Sequence, residues 1–173
     1  GAGRRDATIR PVRVLLLVHG FPPDEVGGVE VYAEALARAL AARHDVVVGV
    51  AHPAAGEAAG RVSDERRDGY RVVRVGVPRA ADLVPGMRPA EAEPLAALAA
   101  GADVVLVLPL RGAGIAPLVA ARAEGVPYVV TVHDFAPICH RNTLLLPDGT
   151  ACAGPSAETC WRCLVHDAFP DVP

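Results

Sequence analysis

The sequence predicts a doubly wound α/β fold, in which a mostly parallel β-sheet carries helices on both faces. Short continuous apolar runs, typical of strands buried on both faces, occur at residues 12–18, 45–51, 104–108 and 127–132. Segments with apolar residues at helical spacing lie between several of these runs. The first run also leads through a glycine-containing loop into such a helix, which is the order of a βαβ unit. Strands and helices that alternate in this way form a Rossmann-like sheet.

The first βαβ unit begins with a strand over residues 12–18 and the loop HGFPPDEVGG. A helix is predicted over residues 29–43, because apolar residues recur there at helical spacing, at Val29, Tyr32, Ala33, Leu36, Ala37 and Leu40. A second buried strand follows over residues 45–51. The next segment, AHPAAGEAAGRVSDERRDG, is polar and contains glycine, so it is predicted to be a loop or a weak helix.

The second half of the chain continues the alternation. A strand is predicted over residues 70–77, at an edge of the sheet because its arginines need solvent, and an alanine-rich helix over 90–100, with a firm start near Pro94. A strand over 104–108, a helix over 114–124 and a strand over 127–132 follow. The α/β domain therefore spans residues 12–132, preceded by a disordered or tag-derived segment at 1–11. The periodicity ends at His133, and residues 133–173 are predicted to be an irregular, cysteine-rich loop of the same domain.

Composition and charge exclude several classes of function. A chain of 173 residues with 51% hydrophobic and 21% charged residues is long enough for one domain with a core. A net charge of -3 argues against nucleic acid or an anionic membrane as the main partner. The apolar runs are far shorter than the ~20 residues of a membrane helix, and no signal-peptide cleavage pattern is present. We therefore expect a cytoplasmic protein with mostly reduced cysteines.

Two strand exits are the candidate ligand-binding loops, because ligands of open parallel sheets bind outside the carboxyl ends of the strands. One exit is the loop from His19 to Gly28, and the other begins at His133. The pair Gly27-Gly28 lies at the predicted start of the first helix, where free N–H groups and the helix dipole attract phosphate. A glycine pair can also simply make the turn, and the sequence lacks both GxGxxG and a Walker lysine.

Two separated stretches resemble glycosyltransferase family 4 enzymes of the GT-B fold. In the first, a strand runs into a proline-containing loop, GG, an acidic residue, a helix rich in LA pairs and then H-x-V-x-V, as in RVLLLVHGFPPDEVGGVEVYAEALARALAARHDVVVGVA. In the second, a strand ending in VHD is followed by L-x-x-P-D-G, a cysteine and C-x-x-C, as in one subgroup of that family. The resemblance covers about residues 12–164, and both motifs occur in the family's order and spacing.

The resemblance implies a retaining transfer of a sugar from a nucleotide-sugar donor to a hydroxyl of a glycan, lipid or small-molecule acceptor. Enzymes of this fold have two Rossmann-like domains that face each other across a cleft. The chain is similar to the N-terminal, acceptor-side domain, so we expect the donor-binding C-terminal domain to be absent from it. We expect no transferase activity from the chain alone. No catalytic metal is expected.

Residue roles follow from the matching positions. Gly27 and Gly28 are expected to bind the donor diphosphate through backbone N–H groups. His133 matches a family histidine close to the donor sugar and is the predicted catalytic residue. Asp134, Glu30 and His19 are weaker candidates for contacts to the acceptor or for orienting other groups, since Asp134 also suits a loop cap and Glu30 suits the first helical turn in any protein.

The four cysteines have the spacing C-x12-C-x7-C-x2-C. Four thiolates at Cys139, Cys152, Cys160 and Cys163 would close a tetrahedral structural Zn²⁺ site, and the turn-rich residues between them suit a compact metal-held loop. Only one C-x2-C knuckle is present, however, and His140 or His166 could replace a ligand. Reduced, unligated thiols, a disulfide and an iron–sulfur cluster are the alternatives.

Two other functions stay open from the sequence. One is a non-catalytic binding module, in which the cysteine-clamped loop recognises a protein or glycan, and the other is a GT-B-like nucleotide-sugar epimerase. Peripheral membrane contact is also left open, although no basic amphipathic helix supports it in this chain.

Overall fold

The computed structural model describes residues 10–54, 58–78, 90–109, 114–135 and 137–168. They form the predicted α/β architecture around a six-stranded, mostly parallel sheet. The elements in chain order are β1 (Arg13–Val18), α1 (Gly28–Ala41), β2 (Asp45–Ala54), β3 (Val62–Arg67), β4 (Tyr70–Pro78), α2 (Glu93–Ala100, after a 3₁₀ turn at Ala90–Ala92), β5 (Val104–Leu108), α3 (Ala116–Ala123), β6 (Tyr128–Val130) and α4 (Ala157–Ala168). Residues 1–9 of the N-terminal segment predicted at 1–11 lie outside the described residues.

The strand order is β3-β4-β2-β1-β5-β6, and every pair is parallel except β3 with β4. The chain therefore moves from β1 outward to one side of the sheet, and then crosses β1 to continue on the other side with β5 and β6. The sheet order reverses between β1 and β5, where doubly wound folds form their ligand crevice.

Two apolar layers hold the helices to the sheet. On one face, Ala33 and Ala37 of α1 pack with Phe21 and the alternate residues of β1 and β2 that point to that side. On the other face, Leu95 and Ala99 of α2 pack with the opposite set of strand residues, and α3 joins them. Strands covered on both faces explain why β1 reads as an unbroken apolar run.

The prediction for residues 51–69 was wrong, since it contains strand β3. This strand, VSDERR, is polar because it lies at the sheet edge and exposes most of its side chains. Its hairpin with β4 turns at Asp68 and Gly69, both at positive φ (35° and 91°), as a two-residue turn of this kind requires. Strand β4 is consequently internal, between β3 and β2, rather than at the edge.

The predicted irregular C-terminal loop is irregular only as far as residue 156. Residues Ala157–Ala168 form α4, which carries Cys160 and Cys163. Ser156 provides the start, because its hydroxyl accepts a hydrogen bond from the Thr159 N–H at 3.1 Å and its carbonyl accepts one from Cys160 N–H at 2.9 Å. Residues 169–173 of the predicted loop lie outside the described residues.

Candidate functional site

The candidate site lies where β1, β5 and β6 end at one edge of the sheet. Val18 is in register with Leu108, and Val107 is in register with Val130, so the three carboxyl ends are level. The Thr131 N–H donates to Val107 O at 2.9 Å and carries the chain out of β6 toward His133. His19 and His133 thus leave strands separated by β5 alone, a lateral distance of about 10 Å at the usual strand spacing.

His133 lies over the first part of α1. Its ring contacts the ring of Tyr32, with centroids 5.4 Å apart and planes tilted by 56°. Both side chains are exposed, so the imidazole is open to a ligand on its other side. Tyr32 stands four residues after Gly28, which places His133 above the N-terminal turn of the helix.

The glycine pair forms the start of α1. Gly27 is the N-cap, with extended backbone angles, and its carbonyl accepts the first helical hydrogen bond from Val31 N–H at 3.0 Å. Gly28 is the first helical residue, is exposed, and has nothing within 4 Å of the position that a Cβ would occupy. No side chain caps this first turn, so its N–H groups are the ones that an anion at the helix N-terminus would use.

Glu30 and His19 are paired beneath this turn. The Glu30 side chain is only 8% exposed, and its Oε1 lies 3.3 Å from His19 Nε2. Its other oxygen, Oε2, would be 2.6 Å from a Cβ on Gly27, so the carboxylate occupies the space that glycine leaves free. In this position Glu30 supports the glycine turn, and the acceptor contact predicted for it stays a prediction that its burial does not favour.

Asp134 follows His133 and is half-buried. The next backbone N–H, of Phe135, donates to Asn142 O at 3.3 Å, so the chain after His133 folds back on the loop that holds the first cysteine. The role predicted for Asp134 stays a prediction.

The loop that carries the site is fixed by arginines of the β3–β4 hairpin. Arg67 Nη1 and Arg74 Nη2 both donate to Pro22 O, at 2.7 and 3.1 Å. Arg74 Nε also lies 2.9 Å from Asp24 Oδ2, close enough for an ion pair although the N–H is not aligned for a hydrogen bond. The predicted ligand loop is therefore held by Arg74, from the strand predicted at the sheet edge, and by Arg67, from the segment predicted as a loop or weak helix.

Cys139 is surrounded by backbone N–H groups. Burial raises the pKa of this thiol, but hydrogen bonds from the backbone of Leu144, Arg141, Thr143 and Asn142 outweigh burial, and the pKa is lowered overall. The turn that aims these N–H groups at the sulfur has positive φ at Asn142 (61°) and Leu144 (52°). Such a nest stabilises a thiolate, which is the form that binds metals.

The other three cysteines lie close to this turn or on α4. Cys152 is tied to it, because its N–H donates to Leu144 O at 2.8 Å. Cys163 is buried, and burial raises the pKa of its thiol, as do the neighbouring Asp167, Cys152 and Cys139, while Arg141 opposes them. Cys160 lies one turn before Cys163 on the helix. All four are free thiols, and among the described residues their sulfurs do not form a group of three within 4.8 Å of one another.

A cavity of about 480 Å³ lies between α4 and the loop before it, and it is lined by other residues than those of the glycine turn. Trp161, Arg162 and His166 of the helix face Leu146 and Asp148 across it. The Thr150 hydroxyl donates to Asp148, and this hydrogen bond lowers the pKa of the carboxyl group, which stays ionised near neutral pH.

Within the described residues, no helix has the length and apolar character that crossing a bilayer would need.

Sequence analysis missed Tyr32 as a site residue and assigned it to the apolar stripe of α1. In the structure it is 46% exposed and contacts His133, whereas Ala33 beside it is fully buried. Helical spacing alone does not show that Tyr32, at the margin of the apolar stripe of α1, faces the loop that begins at His133. The signal that was available is the hydroxyl of tyrosine, which favours margins over core centres.

Fold and site together define an α/β domain in which an uncapped helix N-terminus and an exposed histidine lie at the carboxyl edge of the sheet. The chain belongs to the glycosyl transferase 4-like family, since the model of the glycosyl transferase 4-like domain matches residues 27–169. The match begins at the glycine pair and ends within a few residues of the end of α4, so it includes His133 and all four cysteines. No curated protein sequence matches the chain significantly.

Proposed function

We propose that the chain is the acceptor-side domain of a retaining glycosyltransferase that uses a nucleotide-sugar donor. The observation that carries the proposal is the contact of His133 with α1, since its ring centroid lies 5.4 Å from that of Tyr32, one turn after the helix begins at Gly28. Membership of the glycosyl transferase 4-like family supports sugar transfer as the reaction class.

In the proposed reaction, the bond between the sugar C1 and the diphosphate oxygen breaks, and C1 bonds to the acceptor hydroxyl oxygen on the same face. The acceptor proton leaves with the diphosphate. The first-turn N–H groups of α1 stabilise the negative charge that grows on the leaving diphosphate. His133 hydrogen-bonds a hydroxyl of the donor sugar and positions C1. Donor and acceptor meet in a cleft that the second domain completes. The isolated chain therefore binds the nucleotide but does not transfer the sugar.

Nucleotide titration tests the binding half of this proposal. We expect millimolar UDP or GDP to shift the NMR amide signals of Gly27, Gly28 and Val31, and the ring signals of His133, but not those of the cavity beside α4. Absence of any shift with either nucleotide contradicts the assignment of the glycine turn. Sugar transfer by the purified chain contradicts the half-enzyme proposal.

Replacement of His133 tests the catalytic half, in an enzyme that joins this domain to a donor-binding domain. His133→Ala is expected to lower kcat/KM about 5-fold to 100-fold, because loss of the hydrogen bond to the donor sugar costs about 1–3 kcal/mol. The matched control is His166→Ala, because His166 is an exposed histidine on α4 with 52% of its side chain accessible. Equal activity of the two variants refutes the role of His133.

We further propose that the four cysteines bind a structural Zn²⁺. Support comes from the backbone N–H groups around Cys139, the link from Cys152 to the same turn and the one-turn spacing of Cys160 and Cys163. Since the sulfurs are not grouped within 4.8 Å, the ion would have to draw α4 and the loop together. Plasma mass spectrometry of purified protein is expected to find one zinc per chain, and a metal-free folded chain would favour unligated thiols. We also propose a glycan, lipid or small-molecule acceptor, which membership of the family supports, and a cytoplasmic location.

A further inference from the structure

Three side chains with metal-binding atoms converge beside the glycine turn. His19, Glu25 and Glu30 each offer one atom, and these atoms all lie within 4.8 Å of one another. Among the described residues this is the one group of three or more histidine, cysteine and carboxylate side chains at that spacing. The three come from the end of β1, the following loop and the first turn of α1.

The charge of this cluster is not balanced by its own members. Glu30 is the one charged residue that is buried among those described, at 6% exposure, and its contact to His19 is 3.3 Å, longer than a strong charge-assisted hydrogen bond. Glu25 adds a second carboxylate, with His52 Nδ1 at 3.9 Å as its other neighbour. Buried carboxylates are normally paired or bound to a metal.

His19 alone is a poor counter-ion for both groups. Its Nδ1 atom is buried and has no hydrogen-bond partner among the described residues. A protonated ring would therefore bury an N–H without an acceptor, which costs free energy. A neutral ring with its proton on Nε2 avoids that cost and leaves the Nδ1 lone pair free to bind a metal, but it leaves two carboxylates together without a cation.

Two glycines leave the room that the carboxylates occupy. A Cβ on Gly20 would overlap Glu25 Oε2, and a Cβ on Gly27 would lie 2.6 Å from Glu30 Oε2. Both contacts are closer than real Cβ atoms come to their neighbours, so any other residue would push the carboxylates out of place. The backbone on both sides of the loop is thus shaped around these two side chains.

A bound cation also removes a conflict with the neighbouring helix N-terminus. Without a cation, the two carboxylates beside the first turn of α1 would repel an anion there, opposing the helix dipole. A divalent ion bound by them would reverse the sign of the local charge.

We propose that His19, Glu25 and Glu30 bind a first-row divalent cation such as Mn²⁺ or Zn²⁺. One imidazole and two carboxylates suit these ions better than Ca²⁺, which takes six to eight oxygens. Ligand bonds of about 2.0–2.2 Å place ligand atoms about 3.0–3.5 Å from one another, so pairs near the 4.8 Å limit must close by up to about 1.5–2 Å. Rotation of the half-exposed Glu25 side chain can supply this movement. Three protein ligands leave open positions for water or an anionic ligand. The proposal stands without the transferase function, and no reaction step is assigned to the ion.

Mn²⁺ is the first probe, because thiolates compete for Zn²⁺ whereas Mn²⁺ prefers oxygen ligands. Loss of the free-ion EPR signal counts bound Mn²⁺, and we expect one ion per chain. Glu25→Gln should weaken binding at least 10-fold, and it should fold, since 39% of that side chain is exposed. Glu124→Gln, at an exposed glutamate after α3, is the matched control and should bind as the parent does.

A thermal melt gives the second readout. Bound Mn²⁺ should raise the Tm of the parent and of Glu124→Gln, but not of Glu25→Gln, because only the native state holds the site. Zn²⁺ should displace Mn²⁺ from the parent. The proposal is overturned if the folded parent binds neither ion at millimolar concentration, or if Glu25→Gln binds Mn²⁺ as tightly as the parent, in which case the cluster is an ion pair only.

Discussion

Alanine at the two adjacent glycines of α1 is expected to separate stability from ligand binding. At Gly28 the new methyl group meets no atom within 4 Å, and the backbone is not in the left-handed region. Alanine is also the better helix former, so the free energy of unfolding should be unchanged or rise by up to about 0.5 kcal/mol. The methyl group nevertheless stands where we place the diphosphate. Loss of one charge-assisted hydrogen bond costs about 1.5–3 kcal/mol, which corresponds to about 10-fold to 100-fold weaker binding.

At Gly27 the outcome should be the reverse. The methyl group would lie 2.6 Å from Glu30 Oε2, so the carboxylate must leave its buried place beside His19. A buried charged group that loses its partner costs about 1–3 kcal/mol, and alanine is also a poorer N-cap than glycine.

Urea unfolding followed by circular dichroism gives the stability of both variants, and NMR titration with UDP or GDP gives the binding. The reasoning fails for the phosphate site if Gly28→Ala binds nucleotide as well as the parent. It fails for the Glu30 support if Gly27→Ala unfolds at the same urea concentration as the parent.

Three further predictions concern stability. A hydrogen bond from Arg71 lowers the pKa of Asp64, and one from Arg67 lowers the pKa of Glu65. The contribution of these ion pairs to the free energy of unfolding is fully present above the unfolded pKa values of about 3.8 and 4.5. It is lost as the pH falls through the lower pKa values of the folded state. Urea midpoints measured from pH 6 to 3 should therefore fall less steeply for the double variant Asp64→Asn/Glu65→Gln than for the parent. Ser156→Ala removes the hydroxyl that caps α4 and should lower helix stability by about 1 kcal/mol, seen as faster hydrogen exchange at the first turn; Ser156→Asp should restore it. Tyr70→Phe removes a buried hydroxyl that has no partner among the described residues, so urea unfolding should show stability equal to the parent or up to about 1 kcal/mol higher; a loss above 1 kcal/mol would show that the hydroxyl is satisfied.

The central sheet was predictable because its strands are buried on both faces. Burial forces an unbroken apolar run, and that pattern placed β1, β2 and β5 within a few residues. Strand β3 was missed for the same physical reason, since an edge strand exposes its side chains and has no need of an apolar pattern. The Asp68-Gly69 pair, typical of a two-residue hairpin turn, was a signal in the sequence that the prediction did not use.

The candidate site was predictable in part. The two strand exits follow from topology, because parallel strands end at one edge. The ring contact between Tyr32 and His133 and the clustering of Glu25 with His19 depend on how loops fold back, and no periodicity encodes that. The helix under Cys160 and Cys163 was missed because turn-rich residues precede it and its apolar positions are few.

The hydrogen bonds from two arginines of the β3–β4 hairpin to Pro22 O couple the stability of the hairpin to that of the loop after β1. Arg67 and Arg74 bond the carbonyl of a loop whose other residues include His19 and Glu25. Any ligand that orders this loop must, by reciprocity, also reduce the local opening of the hairpin. Amide protection in β3 should therefore report occupancy of a site that β3 never touches.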